Sequence, residues 1–228
     1  MIEENLARVR KTIANECLRT GRNPDDVHLI AVSKSFGREQ IQVARNVGQF
    51  DLGENYAQEL KEKQAALNDS SIRWHFIGHL QTNKVKYLVE YVHLIHTLDG
   101  VNLAEEIQKR AERIPRIVDV LIEVSTTNEP TKSGVAPSDA ITLANEVAKF
   151  KHVRVRGLMT MGPMSENPED ARPSYKLLRS LLEEGKNSGL LWHELSMGMS
   201  HDYEIAIQEG ATMVRVGTAI FGERQYAR

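Results

Sequence analysis

The sequence predicts an α/β fold: a single (β/α)8 barrel of the TIM type with an extra N-terminal helix. Eight short runs rich in apolar and β-branched residues recur along the chain, and a helical pattern follows each run except the last. Alternation of this kind implies parallel strands with right-handed crossovers. Eight such units, with no GxGxxG motif after the first strand, favour a closed barrel over a doubly wound open sheet.

The elements follow one another without a linker or a shift in composition, so residues 1–228 are predicted to form one domain. Residues 1–20 carry apolar side chains at helical spacing, and we expect this helix to pack on the barrel. The strand candidates are HLIAVSK, QFDLGEN, RWHFIG, LIHTLD, IVDVLIEVS, VRVRGLMTMG, LWHELSMGM and MVRVGTAIF. The helical patterns between them are REQIQVARNVG, YAQELKEKQAAL, the shorter VKYLVEY, VNLAEEIQKRAER, PSDAITLANEVAKF, PEDARPSYKLLRSLLEEGKNSG and a helix beginning near Asp202.

Composition excludes several classes of function. The chain is 41% hydrophobic and 26% charged with a net charge of −2, so no basic excess indicates binding to nucleic acid or to an anionic membrane. Its one cysteine, Cys17, lies in a helical pattern and is expected to be a buried structural residue of a reducing compartment. The start, MIEENLARVRK, has no apolar core like that of a secretory signal, and no run approaches the roughly 18 apolar residues of a membrane span. We therefore expect a cytoplasmic location.

Polar and glycine residues collect where the predicted strands end, and active sites of such barrels lie at these carboxyl ends. Gly198 and Ser200 precede the helix near Asp202, while Gly217 and Thr218 close the eighth strand. Each glycine alone would be read as a turn residue. Together, glycine amides, hydroxyls and a helix start after strands seven and eight favour a phosphate site.

Arg215 lies two residues before Gly217, so strand alternation gives both the same face. A buried arginine needs a partner, which a ring nitrogen, a carboxylate or a second anion could supply. The alternative is a structural ion pair with an inward carboxylate such as Asp51 or Glu123.

Lys34 ends the first strand, which neighbours the eighth in a closed barrel. An amine in a partly apolar mouth near Arg215 should have its charged form disfavoured, which makes it a nucleophile toward carbonyls. Lys34 is the one candidate for a catalytic role. A phosphate site, this lysine and Arg215 suit pyridoxal 5′-phosphate, and a phosphorylated sugar aldehyde would fit nearly as well. The pairs His75 with His79 and His93 with His96 have spacings seen in metal sites but no acidic or cysteine companions, so no metal site is predicted.

The motifs AVSK, LGENYAQE, WHFIGHLQTNK, KSGV, RGLMTMG, LSMGMSHD and MVRVGTAIFG span nearly the whole chain. In combination the sequence resembles the pyridoxal phosphate homeostasis proteins (the YggS-like family), whose barrel is similar to the N-terminal domain of alanine racemases. The resemblance implies that Lys34 holds the cofactor as a Schiff base. It also implies that Ser200, Gly217 and Thr218 bind the phosphate, that Arg215 approaches the pyridine nitrogen, and that Asn55 flanks the cofactor.

Two arguments favour homeostasis or carriage of the cofactor, with little or no turnover, over an amino-acid racemase. An arginine at the pyridine nitrogen cannot donate a full proton, so the ring is a poorer electron sink. The similar racemases take a second base from a C-terminal domain, whereas only GERQYAR follows strand eight here. The expected partners are the cofactor and recipient apo-enzymes, and a monomer is expected. A Schiff-base aldolase for sugar phosphates and an interaction module using the N-terminal helix remain alternatives.

Overall fold

Eight parallel strands close into a barrel in the computed structural model, which describes residues 1–127 and 133–223. The strands are β1 (His28–Val32), β2 (Asp51–Glu54), β3 (Arg73–Phe76), β4 (Leu94–Leu98), β5 (Val118–Glu123), β6 (Val153–Met159), β7 (Glu194–Ser196) and β8 (Met213–Val216). Each strand pairs with the next, and β8 pairs in parallel with β1, which closes the sheet. The predicted barrel is confirmed, and the open sheet is wrong.

Helices lie between the strands as the alternation predicts. They are α1 (Ile2–Arg19), α2 (Arg38–Asn46), α3 (Ala57–Leu67), α4 (Val101–Ala111), α5 (Ala140–Val147), α6 (Arg172–Asn187), α7 (Tyr203–Gln208) and α8 (Thr218–Phe221). Short 3-10 helices cover Pro24–Asp26, Thr82–Tyr87, Pro137–Asp139 and Pro168–Ala171.

Two elements differ from the sequence prediction. The helix expected in VKYLVEY is instead the end of the 3-10 helix and the turns after it, although Val85, Leu88 and Val89 are buried as the helical spacing required. The strand predicted to have no helix after it, β8, is followed by α8. This helix is a single turn, in which the amides of Ile220 and Phe221 both donate to the Gly217 carbonyl. A single turn is too short for its periodicity to be recognised.

The N-terminal helix α1 packs against α7 and α8, as expected of a helix outside the barrel. Its buried side chains Leu6, Val9, Ile13 and Cys17 recur every three or four residues. Burial raises the pKa of the Cys17 thiol, in keeping with a structural cysteine. No helix within the described parts of the chain has both the length and the apolar character to cross a bilayer.

The barrel interior is divided between apolar and polar side chains. A small apolar cluster contains Ile30, Leu94, Leu121, Met159 and Met213, separate from the larger core between strands and helices. Strand register places Ile30 beside Arg215, in the same layer. Other inward positions carry buried polar groups, among them His75, His96, Ser196 and Arg215. Polar as well as apolar side chains therefore fill the barrel.

Candidate functional site

The loop after β1 carries Lys34 at the mouth, the end of the barrel where the carboxyl ends of the strands meet. Lys34 is half-buried between buried Ser33 and exposed Ser35. The Ser33 hydroxyl donates to Glu54 Oε1 at 2.6 Å, which fixes the end of β1 to the end of β2. Ser35 has φ of +67°, an unusual backbone conformation for a residue other than glycine, so the turn needs local support.

That support comes from an acid–base cluster of Glu54, Glu59 and Lys63. Lys63 Nζ donates to the Ser33 carbonyl at 2.7 Å, to Glu54 Oε1 at 2.6 Å and to Glu59 Oε1 at 2.7 Å. Glu59 Oε1 also accepts the Ser35 amide at 2.7 Å. The backbone is therefore held on both sides of Lys34 by one cluster.

Burial raises the pKa of Glu54 to about 7, against the opposing effect of Lys63. A carboxyl group that titrates near neutral pH thus lies directly beneath the turn that carries Lys34. Sequence reasoning missed this cluster, because its members come from a strand end and two positions of the following helix.

The loops after β7 and β8 meet through Ser200. Its hydroxyl oxygen accepts the Gly217 amide at 3.1 Å and the Ala219 amide at 3.4 Å. Gly217 lies against the end of β1, since a Cβ there would be 3.4 Å from Val32. Thr218 follows as the exposed first residue of α8. The structure therefore brings Ser200, Gly217 and Thr218 together, at the mouth and beside the strand that leads to Lys34.

Gly198 makes the close packing of these loops possible. Its φ is +92°, and a Cβ would lie 2.6 Å from the Cβ of Ala206 and 2.9 Å from the Cα of Tyr203. Any side chain here would therefore strain the backbone and push the loop away from α7. Close packing against α7 therefore requires glycine at position 198, and this packing helps to fix the position of Ser200.

Arg215 is buried below the mouth, as alternation predicts. Its Nη1 donates to Ser196 Oγ at 2.6 Å and its Nη2 donates to the Thr160 carbonyl at 2.9 Å. Burial lowers the pKa of the guanidinium, partly offset by Tyr175 and nearby acidic groups. The alternative of a direct ion pair is wrong, because Asp51 pairs with Arg73 at the other end of the barrel and the Glu123 carboxylate accepts from Ser133.

Asn55 lies directly after β2 at the same mouth. Its Oδ1 is buried and has no hydrogen-bond partner among the described residues. Gly78 packs on its backbone so closely that a Cβ would be 2.2 Å from the Asn55 carbonyl oxygen. The described parts of the chain contain four further buried side-chain oxygens without partners: Glu54 Oε2, Glu123 Oε2, Thr127 Oγ1 and Tyr175 OH. Such atoms are unfavourable unless a ligand or water satisfies them.

The six predicted site residues all lie at the carboxyl ends of strands or just beyond them. Lys132 of the KSGV motif and the last five residues of GERQYAR lie outside the described residues. Sequence reasoning predicted no metal site at His75 or His96 and did not single out Ser196. The structure places all three on inward faces and joins them by hydrogen bonds.

The fold and site define a class of protein: a (β/α)8 barrel that presents a half-buried lysine and a hydroxyl–amide cluster at its mouth. Residues 2–225 match the family described as alanine racemase, N-terminal domain. The chain is 49% identical to the pyridoxal phosphate homeostasis protein of Aquifex aeolicus (strain VF5), with 98% of each chain covered. It is 38% identical to the protein of that name from Escherichia coli (strain K12), with 100% of this chain and 98% of that one covered. The chain therefore belongs to the family of pyridoxal phosphate homeostasis proteins, as its motifs predict.

Solved structures give the same result. PipY of Synechococcus elongatus PCC7942 with PLP bound superposes with a TM-score of 0.84 at 34% identity, over 97% of this chain and 100% of that one. The alanine racemase of Clostridium difficile 630 has a TM-score of 0.74 at 15% identity, over 97% of this chain and 56% of that one. The second likeness concerns the fold alone.

Proposed function

We propose that this protein binds pyridoxal 5′-phosphate as a Schiff base on Lys34 and serves intracellular homeostasis or carriage of that cofactor, with little or no catalytic turnover. One observation carries the proposal: the Ser200 hydroxyl gathers the Gly217 and Ala219 amides beside the strand that leads to Lys34. An anion site and a primary amine at one barrel mouth match the two reactive ends of this cofactor. Family membership supports the assignment, since the pyridoxal phosphate homeostasis proteins carry the ligand in their name.

The residues at the mouth fit the cofactor chemically. A phosphate accepts hydrogen bonds, and Ser200, Thr218 and the start of α8 offer hydroxyl and amide donors. Asn55 has an unpaired buried oxygen and an amide group that could contact a bound ring or its substituents. Gly217 has no side chain, so nothing projects from it onto Val32, which a Cβ would contact at 3.4 Å.

Bound pyridoxal phosphate supplies an aldehyde that bonds to a primary amine and a ring that can withdraw electrons. The chain's own residues would hold and orient it. Lys34 supplies the amine, and Lys63 with Glu59 fixes the backbone on either side of it. Arg215 supplies a donor from below the mouth, with Nη1 and Nη2 already anchored by Ser196 and Thr160.

The character of Arg215 supports carriage over turnover. A guanidinium donates hydrogen bonds but keeps its proton, so it stabilises a neutral ring nitrogen without protonating it. A ring left unprotonated is a weak electron sink for amino-acid chemistry. We therefore propose hand-over to recipient apo-enzymes, by a cytoplasmic monomer, as the use of the bound cofactor.

The test is an absorbance spectrum of the protein with added pyridoxal phosphate, before and after borohydride, followed by peptide mass analysis. We expect a reducible band and a modified peptide that contains Lys34. Lys34→Ala should abolish both, whereas Lys11→Ala, an exposed lysine of α1, should change neither. Stable modification of Lys34→Ala at another lysine would overturn the assignment of the anchor.

A parallel assay of L-alanine racemisation tests the absence of turnover. We expect no steady conversion by the loaded protein. Sustained racemisation that is lost in Lys34→Ala would make the protein a racemase and overturn the carriage proposal.

A further inference from the structure

A chain of buried hydrogen bonds crosses the barrel interior from the mouth to the amino ends of the strands. We call it the interior chain; its members are Arg215, Ser196, His96, His75 and Asp51. Ser196 Oγ is 2.6 Å from Arg215 Nη1 and 2.8 Å from His96 Nδ1. His96 Nε2 is 2.9 Å from His75 Nδ1, and His75 Nε2 is 3.1 Å from Asp51 Oδ1.

With both histidine rings neutral, the chemistry of the two ends fixes the direction of every bond between them. Arginine only donates and an ionised aspartate only accepts. Asp51 must therefore receive the proton of His75 Nε2, which leaves His75 Nδ1 to accept from His96 Nε2. His96 Nδ1 then accepts the Ser196 hydroxyl proton, and Ser196 Oγ accepts from Arg215. All donor protons point away from the mouth, and both rings are neutral with the proton on Nε2.

The environment of each ring agrees with this assignment. His96 is fully buried and His75 is 2% exposed. Burial lowers the pKa of both rings, and His75 and Arg215 lower that of His96 further. Burial alone would raise the pKa of Asp51, but hydrogen bonds from His75 and Arg73 outweigh it and keep this pKa well below its usual range. Two neutral rings between a fixed cation and a fixed anion satisfy every link.

The interior chain gives the buried Arg215 guanidinium a connection to a carboxylate that it does not touch. Within the described residues, the two oxygens that accept hydrogen bonds from its side chain, the Ser196 hydroxyl and the Thr160 backbone carbonyl, are both neutral. Followed along its hydrogen bonds, the interior chain leads from Arg215 to the Asp51 carboxylate, which accepts two bonds of 2.6 and 2.5 Å from Arg73. Ordered hydrogen bonds polarise one another in a low-dielectric interior, so the orientation of the far end can affect the near one.

We propose that Ser196, His96, His75 and Asp51 are positioning residues, which hold Arg215 oriented toward the mouth through one directional chain of hydrogen bonds. The proposal deepens the proposed function and rests on it for the identity of the ligand, pyridoxal phosphate. It assigns no chemistry to the histidines, which act only through Arg215.

The first test uses the protein without added cofactor. Long-range proton–nitrogen NMR spectra of histidine-labelled protein report which ring nitrogen carries the proton. We expect His75 and His96 each to be a single neutral form with the proton on Nε2 at pH 7. A proton on Nδ1 of either ring, or a charged ring, would contradict the direction of the interior chain and overturn the proposal.

The second test measures loss of bound pyridoxal phosphate from variants at the far end. Asp51→Asn removes the charge that terminates the interior chain. Asp119→Asn is the matched control, because Asp119 pairs with Arg154 by two bonds of 2.6 and 2.9 Å and is not joined to either histidine. We expect Asp51→Asn to release the cofactor about fivefold faster and to shift its absorbance band, and Asp119→Asn to change release by less than about twofold.

Ser196 provides an independent variant at the near end. Ser196→Ala should speed release about tenfold, since it breaks a bond to a charged group, and Ser196→Thr should restore most of the retention because the hydroxyl returns. Equal retention in Asp51→Asn, Asp119→Asn and Ser196→Ala would overturn the positioning role. Failure of the unsubstituted protein to take up pyridoxal phosphate would instead overturn the proposed function, and the NMR result would still decide whether the interior chain is ordered.

Discussion

Polar groups at the two ends of the barrel differ in whether they have hydrogen-bond partners. At the amino ends of the strands, carboxylates meet arginines in two-bond pairs, as Asp51 does with Arg73 and Asp119 with Arg154. At the carboxyl ends lie the five buried oxygens that have no partner among the described residues. The carboxylates at the amino end are therefore paired within the protein, whereas the buried oxygens at the mouth lack partners, which a ligand or water would supply.

Along the barrel axis, groups paired for stability therefore lie mainly at the amino end, and groups retained for function lie mainly at the mouth. Unpaired buried polar groups and strained turns lower stability, and proteins retain them mainly where function needs them. The mouth has both, with Ser35 at positive φ and a Glu54 carboxyl whose pKa is raised to about 7 by burial. Substitutions at the mouth and their counterparts at the amino end should therefore have different effects.

The largest expected effect on folding comes from Gly198→Ala at the mouth. The new Cβ would meet Ala206 at 2.6 Å in a residue already at φ of +92°, so we expect the free energy of unfolding to fall by about 3 kcal/mol. Its counterpart at the amino end is Gly48→Ala, with φ of +79° and open space around it, which should lose only about 1 kcal/mol. Urea unfolding of both variants measures the difference. Equal losses would show that backbone conformation alone, and not packing at the mouth, requires Gly198.

The next effect is a pH dependence caused by Glu54. Its folded pKa of about 7 lies above the usual 4.5, so the folded state binds more protons than the unfolded state between these values. This group therefore makes the protein less stable as pH rises from about 4.5 to 7, by about 3 kcal/mol in total. Between pH 5 and pH 8, the free energy of unfolding should fall less for Glu54→Gln than for the unsubstituted protein.

Glu39→Gln is the control for that measurement, because Glu39 is exposed on α2. Its stability should follow pH as the unsubstituted protein does. Parallel pH curves for Glu54→Gln and the unsubstituted protein would mean that the Glu54 carboxyl is ionised across this range when the protein is folded.

Much of the contrast between the two ends follows from sequence. Strand runs ending in lysine, asparagine, glycine and hydroxyl residues predict the barrel and which end is functional, because parallel strands bring their carboxyl ends together. The clustering of Ser200, Gly217 and Thr218 at the mouth was predictable, because these residues follow the ends of adjacent strands or lie at them.

The interior chain was not predictable, because it depends on strand register and on contacts across the barrel. Sequence spacing groups His75 with His79 and His93 with His96. The structure instead joins His75 to His96 and gives His79 the carboxylate of Asp99 at 3.3 Å. No local pattern shows which inward-facing side chains of separate strands will share a layer.

A smaller effect, on ligand retention, is expected from Ser200→Ala combined with Thr218→Ala. Two hydroxyl donors are removed from the proposed phosphate site, so pyridoxal phosphate should dissociate about tenfold to a hundredfold faster. The ligand-free protein should lose no more than about 1 kcal/mol, since the freed amides of Gly217 and Ala219 are partly accessible to water. Ser188→Ala, which removes an exposed hydroxyl bond to the Glu184 carbonyl, is the control and should leave retention unchanged. A loss of ligand-free stability as large as the loss of retention would make the two hydroxyls structural.

The smallest effect belongs to the amino end. Asp119→Asn breaks an ion pair whose arginine side chain is 53% exposed, and pairs in such surroundings contribute at most about 1 kcal/mol. The Asp119 carboxylate lies at the opposite end of the barrel from Lys34 and, unlike Asp51, is not joined to the interior chain. Retention of pyridoxal phosphate should therefore stay within about twofold of the unsubstituted protein. Urea unfolding and cofactor release measured on one preparation test both statements. Because salt screens exposed charges, the small stability loss should shrink further in 1 M sodium chloride. A loss of several kcal/mol, or a marked change in retention, would mean that amino-end ion pairs outside the interior chain also support the site, and the division between the two ends would fail.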